Sequence, residues 1–195
     1  MKAGKIAFKR LKETDLPLMH RWLNTPHVSE WWEVSGKKLP SLETVREKYL
    51  PRIKGNDPVD CFLIAYDGMP IGMVQSCKMD DFPAEKANFN LDQSCAAIDI
   101  VIGEEDYVHR GLGSSIIREF LKEVIFKKYA VDCCIVDPYV ENEIAIRAYN
   151  KAGFKYLKTV WYEKESRREH ILSINRDEIE LDKEKGGVKY KGLDT

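Results

Sequence analysis

The chain has 195 residues, 44% of them apolar and 32% charged, with a formal net charge of −1 at pH 7. That length supports one compact domain with a substantial buried core, and the composition is that of an ordinary soluble globular protein. The balanced charge argues against nucleic acid as a partner, no apolar run approaches the roughly 18 residues of a membrane span, and the charged opening MKAGKIAFKRLKETD does not read as a signal peptide. A cytoplasmic protein is expected. Cysteines 61, 77, 95, 133 and 134 form no C-x-x-C pair and mostly sit in apolar, strand-like runs. Free, buried thiols are therefore expected rather than a disulfide or a metal site. His20, His27 and His170 have no metal-ligand spacing, and no metal is expected.

In chain order, KIAFKRL alternates and predicts a first strand. TDLPLMHRWLN carries Leu16, Met19, Trp22 and Leu23 at helical spacing behind a cap at Thr14 or Asp15. HVSEWWEVSGKKLP reads as irregular, and SLETVREKYLPRI as a short helix capped by Ser41 and stopped at Pro51. DCFLIAYDGMPIGMVQSCKM is a hairpin turning at Asp67-Gly68. FPAEKANFNLDQS reads as a loop and CAAIDIVIG as a strand.

SSIIREFLKEVIFKK follows as an amphipathic helix, DCCIVD as a buried strand, and NEIAIRAYNKAGF as a helix stopped at Gly153. FKYLKTVWYE and REHILSI make a last strand pair. Strand–helix–strand alternation after residue 96 predicts an α/β fold with a mixed, partly parallel sheet covered by helices. Residues 1–176 are expected to form this single domain and residues 177–195 a polar, loosely held tail.

The stretch HRGLGSS, residues 109–115, opens the helix that follows the strand CAAIDIVIG. A helix N-terminus presents unpaired N–H groups and about half a positive charge. Gly111 and Gly113 let the backbone approach an anion, Ser114 and Ser115 add hydroxyls, and His109 and Arg110 add donors or charge. The turn lacks the third glycine of a dinucleotide fingerprint and the Gly-Lys-Ser/Thr of a P-loop. By itself it reads as a glycine-containing turn with a serine cap.

Asp99 is a single acid inside the apolar run Ala96-Ala97-Ile98-Asp99-Ile100-Val101-Ile102. An unpaired carboxylate in such a place is costly, so it has a partner, a task, or a solvent-facing position. Residues 79–108 hold eight Asp/Glu against Lys86 alone, whereas residues 109–128 hold five Lys/Arg against two Glu. An acidic segment beside a basic one fits a cationic ligand meeting an anionic one, and equally two solvated faces of opposite sign.

Taken together, HRGLGSS and AIRAYNKAGF resemble the acetyl-CoA signature of the GNAT acyltransferase superfamily, and the element order is similar to that fold over essentially the whole chain. Within it, IDIVIGEEDYVHRGLGS, VDPYVENEIAIRAYNKAGF and PIGMVQSCKMDD resemble the aminoglycoside 6′-N-acetyltransferases. Two departures stand out. Val108 occupies a position where such turns often carry Gln or Arg, and Ile100 follows Asp99 where the drug-modifying relatives often have Gln.

The resemblance implies acetyl-CoA as cofactor, a small-molecule amine as acceptor, and a monomer or homodimer. It implies that Val101, Ile102 and Gly103 hold the pantetheine and polarise the carbonyl. His109, Arg110, Gly111, Leu112, Gly113, Ser114 and Ser115 would hold the pyrophosphate, and Asn142 would touch the pantetheine arm. Tyr149 takes the place of a general acid facing the CoA sulfur, although its spacing alone equally suits a core aromatic. Asp99 takes the place of the carboxylate that receives the amine, and Trp31, Trp32, Gln75, Asp80 and Asp81 that of the acceptor side. Left open are a different amine (a siderophore hydroxylysine type or a protein N-terminus) and a CoA-binding sensor without activity.

Overall fold

Residues 4–36, 38–163 and 166–179 are described in a computed structural model. Seven strands, β1 (Ile6–Arg10), β2 (Asp60–Tyr66), β3 (Met69–Lys78), β4 (Cys95–Ile102), β5 (Cys133–Val136), β6 (Lys155–Tyr162) and β7 (Arg167–Asn175), form one sheet in the order β1-β2-β3-β4-β5-β7-β6. Neighbours are antiparallel except β4 and β5, which are parallel. The α/β mixed sheet expected from the sequence is therefore present. The helices are α1 (Leu16–Leu23), α2 (Pro26–Ser29), α3 (Leu42–Ile53), α4 (Pro83–Phe89), α5 (Leu112–Phe120), α6 (Phe126–Lys128) and α7 (Glu143–Ala152). A π-helical stretch at Leu121–Ile125 joins α5 to α6.

Strand periodicity sorts the core into two faces. Phe62, Ile64, Val74, Ala96, Ile98, Cys134, Val136, Leu172 and Ile174 pack beneath α5 and α7. On the opposite face, Cys61, Leu63 and Met73 pack under α1 and α3, while Cys95, Cys133, Ile135 and Ile171 form a separate cluster with Phe89 of α4. Gln75, Asp99 and Glu169 share the parity of that second face, and the gap between its two apolar clusters is where the polar groups collect.

Several local expectations meet corrections. Pro51 does not stop α3, which runs to Ile53; it falls in the last turn, where only one backbone bond is forfeited, and Lys54 N still reaches Leu50 O at 3.0 Å. Ser41 caps that helix as expected, its Oγ accepting from Thr44 N at 3.1 Å. The expected cap at Thr14 or Asp15 is not made by a side chain of the α1 N-cap; Asp15 instead accepts from Lys12 N at 2.9 Å. FPAEKANFNLDQS is not wholly a loop, because Pro83 begins α4 at its first turn and left-handed Asn90 ends it.

Cys95 and Cys133 are not free thiols. The parallel register sets them side by side, 4.6 Å between Cα atoms, and they are joined as a disulfide. Cys61, Cys77 and Cys134 are free, as expected. At the C-terminal end, Ile179 is buried in the core and Glu178 pairs with Lys155, so packing continues past residue 176. Residues 180–195 of the expected tail lie outside the described residues. No helix among the described residues is long and apolar enough to cross a membrane.

Candidate active site

Strands β4 and β5 pair only over Cys95–Cys133, Ala96–Cys134 and Ala97–Ile135. Beyond Ala97, β4 stays on β3 to Ile102 while β5 ends at Val136, so the sheet opens and one edge of β4 has no strand partner among the described residues. From this opening the chain turns to α5 through two left-handed residues, His109 (φ 61°) and Gly111 (φ 74°). Glycine takes that conformation freely, whereas for His109 it costs on the order of 1 kcal/mol, strain of the kind kept at ligand-binding turns. Gly111 is the N-cap of α5 and no side chain among the described residues caps the helix, so its first-turn N–H groups are left without a capping partner there. The fold thus rejects the serine-cap reading of HRGLGSS.

A cleft of about 560 Å³ runs from this helix end along the splayed strand, past Ile102, Val101 and Ile100, to Tyr149. His109, Gly111, Leu112, Gly113 and Ser114 line its outer end. An anion-sized helix terminus opening into a narrow, largely apolar groove fits a diphosphate carrying a long thin arm. Gly103, Arg110 and Ser115 do not line it. Gly103 N donates to Ile71 O at 2.8 Å, and a methyl group there would overlap the Trp22 indole, so this glycine serves packing. Arg110 lies over the Tyr107 ring, 5.4 Å from its centroid. His27 Nε2 donates to Ile102 O at 3.1 Å, which ties the end of the splayed strand to α2.

A second chamber, about 380 Å³, lies on the sheet face between the two apolar clusters. Trp31, Trp32, Ile100, Asn142, Ala145 and Tyr149 line both chambers, so the two meet there. The second chamber carries four acids: Asp99 of β4, Asp137 beyond β5, Glu169 of β7 and Glu33. The Asp99 carboxylate opens into it, yet the surrounding walls displace bulk water. Burial raises its pKa, opposed by the hydrogen bond from Gln75 and the charge of Arg52. Asp137 is raised well above the usual carboxylate range by burial, then by Asp99 and Glu169; burial raises Glu169 as well, against Arg167. Three carboxylates with raised pKa values therefore crowd one wall of the chamber, with Arg167 paired to Glu169 at 2.8 Å and Lys48 and Arg52 also in the lining.

Asn142 caps α7, its Oδ1 accepting from Ala145 N at 3.1 Å, so its NH₂ remains available to donate at the junction. Tyr149 is buried edge-on to Phe154, and its hydroxyl has no hydrogen-bond partner among the described residues. Burial first, and then Asp99 and Asp137, push its phenol well above the ordinary value, which keeps the hydroxyl protonated. Asp80 and Asp81 stand outside both chambers in the turn after β3, where Asp80 pairs with Lys86. Asp137, Glu169 and Arg52 were not singled out from the sequence. The one signal available was Asp137 directly following the apolar run CCIV, a weaker mark than that of Asp99, which lies inside its run.

The profile of the acetyltransferase (GNAT) domain matches residues 12–161. The chain is 31% identical over 155 residues, 80% of this chain and 76% of the relative, to the aminoglycoside N(6′)-acetyltransferase type 1 of Klebsiella pneumoniae, and equally to that of Serratia marcescens. Its structure is similar to that of AAC(6′)-Ib in complex with ribostamycin and coenzyme A, at a TM-score of 0.77 and 28% identity, covering 90% of this chain and 96% of the other. The chamber geometry, the profile and these relatives agree: the chain belongs to the GNAT acetyltransferase family.

Proposed function

We propose that this protein transfers the acetyl group of acetyl-CoA to the 6′ primary amine of an aminoglycoside. The observation that carries the reading is the junction at Tyr149: an anion-binding groove and an acid-lined chamber meet at a protonated phenol and an open carboxylate. The relatives point the same way, being named aminoglycoside N(6′)-acetyltransferases and solved with coenzyme A and with ribostamycin or kanamycin.

When bound, acetyl-CoA supplies the activated thioester. The first-turn N–H groups of Leu112, Gly113 and Ser114 are suited to hold its diphosphate, with the positive end of α5 behind them. Val101 and Ile102 on the splayed strand and the Asn142 amide guide the arm toward Tyr149. Asp99, Asp137 and Glu169 attract the ammonium groups of the acceptor, and Trp31 and Trp32 supply apolar faces for its sugar rings. Asp99 then accepts the proton of the reacting amine, and the Tyr149 hydroxyl gives a proton to the departing thiolate. We infer a cytoplasmic enzyme, monomeric or homodimeric; both chambers are lined by residues of one chain.

The test is thiol release from acetyl-CoA with kanamycin, tobramycin, spermidine, N6-hydroxylysine and a short peptide. Turnover confined to the aminoglycosides supports the reading. Turnover of another amine alone refutes the acceptor assignment, and acetyl-CoA binding without any turnover identifies a sensor.

A further inference from the structure

We propose that Arg52 is a positioning residue that acts on Asp99 through Gln75, determining which carboxylate oxygen faces the acceptor amine. Arg52 leaves the last turn of α3 with its side chain only 8% exposed. Its Nη1 donates to Gln75 Oε1 at 2.6 Å, its Nε faces Asp57 Oδ2 at 3.5 Å, and its guanidinium lies over the Tyr49 ring, 5.4 Å from the centroid. Asp57 is held in turn by its own bond to Val59 N at 2.9 Å. Gln75 Nε2 donates to Asp99 Oδ2 at 2.6 Å. The antiparallel register pairs Gln75 directly with Asp99, so the last link is a cross-strand contact.

The chemistry of the three groups leaves one arrangement. A guanidinium only donates and a carboxylate only accepts, so the amide between them must turn its oxygen to Arg52 and its NH₂ to Asp99. With Oδ2 engaged by Gln75, Oδ1 is the atom left to receive the amine. The relay also sets charge. Facing Asp99 across the chamber are Asp137 beyond β5 and Glu169 of β7, which disfavour its ionised form, Arg167, which is paired with Glu169, and the neutral phenols of Tyr149 and Tyr49, with the neutral thiols of Cys77 and Cys134 in the surrounding sheet. Lys48 of α3 lines the same chamber, its ammonium disfavoured by burial and by Arg52. Arg52 and the Gln75 bond are the groups that favour the Asp99 carboxylate. Removing Arg52 frees the amide to turn its oxygen toward Asp99, which repels the carboxylate instead of holding it.

The inference rests on the acetyltransferase reading for its kinetic arm only. Arg52→Met should move the acid limb of kcat/KM upward by about one pH unit, a roughly tenfold loss below the limb that shrinks as pH rises. KM for acetyl-CoA should stay put. Arg52→Lys, which keeps a donor, should restore part of the loss, and Gln75→Met should reproduce the shift by cutting the relay at its other link. Carboxyl-carbon NMR titration of Asp99, assigned by Asp99→Asn, reads the same change without turnover. An unmoved acid limb and an unmoved Asp99 titration in both Arg52→Met and Gln75→Met would overturn the proposal. So would an equal loss at every pH with no rescue by lysine, the mark of a merely structural role. If the wild type acetylates no amine tried, the function reading fails, and the NMR titration still decides the relay.

Discussion

Replacing Tyr149 by phenylalanine removes one oxygen and leaves the ring edge-on to Phe154, 5.6 Å between centroids. That hydroxyl has no partner among the described residues, so no hydrogen bond is broken and none is left half-made. Unfolding free energy should change by less than about 1 kcal/mol. The effect on turnover is a different matter. A positioned general acid contributes about 10²–10⁴-fold, equivalent to about 2.7–5.4 kcal/mol at 1.36 kcal/mol per tenfold.

The leaving group decides where in that range the loss falls. A thiol of pKa about 8.5 departs tolerably as thiolate, so the acid is needed less than it would be for an alcohol, and a loss near 10²-fold in kcat is expected. The acetyl-CoA dissociation constant, measured by calorimetry, should be unchanged, because the proposed diphosphate contacts lie at the start of α5. The assay is thiol release at saturating acetyl-CoA with kanamycin as acceptor. A kcat within about threefold of wild type in a normally folded Tyr149→Phe protein would refute the assignment and return Tyr149 to the role of core aromatic.

Other consequences follow from the same geometry. Because burial and mutual repulsion hold Asp137 and Glu169 above the usual carboxylate range, their protonated forms persist to higher pH, and acceptor ammonium groups must displace those protons. Acceptor affinity should therefore fall as pH falls through the raised values, with net proton release on binding; calorimetry in buffers of different ionisation enthalpy checks this, and buffer-independent heats would contradict it. Asp137→Asn should raise KM for the aminoglycoside by about tenfold or more, consistent with loss of one charge-assisted contact of about 1.5–3 kcal/mol, and leave KM for acetyl-CoA unchanged. Glu104 accepts from buried Trp22 Nε1 at 2.9 Å and from Arg21, so Glu104→Ala should cost about 1–3 kcal/mol of stability by orphaning the indole N–H. Arg21 and Trp22 hold the Glu104 carboxyl below its usual value, so this contribution is present at neutral pH and lost as pH falls through the depressed value. Denaturant titrations at two pH values read it, and an equal loss at both would contradict the sign.

What was legible in the sequence depended on how local the signal was. Asp99 and the turn His109–Arg110–Gly111 stand out because a lone acid in an apolar strand and a glycine pair at a helix start are strained or costly within a few residues. The two-residue hairpin turn at Asp67-Gly68 and the stop at Gly153 are of the same kind, and both are in place. Asp137 and Glu169 join Asp99 only because β5 and β7 follow β4 in the sheet, an order set by long-range pairing. The Cys95–Cys133 bond has the same origin, 38 residues apart in sequence and adjacent in register. Arg52 was hidden for a second reason: an arginine at the end of an amphipathic helix reads as a solvated face until the neighbouring strand brings Gln75 beneath it. Asp80 and Asp81, picked out by likeness to relatives, lie outside the acid-lined chamber because the chain curls into a short turn before reaching it.

The most direct test of the account is the position and rate at which kanamycin is acetylated by the wild-type protein and by Asp99→Asn. The account predicts a single acetyl group on the 6′ amine, with turnover reduced by about 10²–10⁴-fold in the variant while acetyl-CoA still binds. Acetylation at another amine, or a variant as fast as wild type, would contradict it.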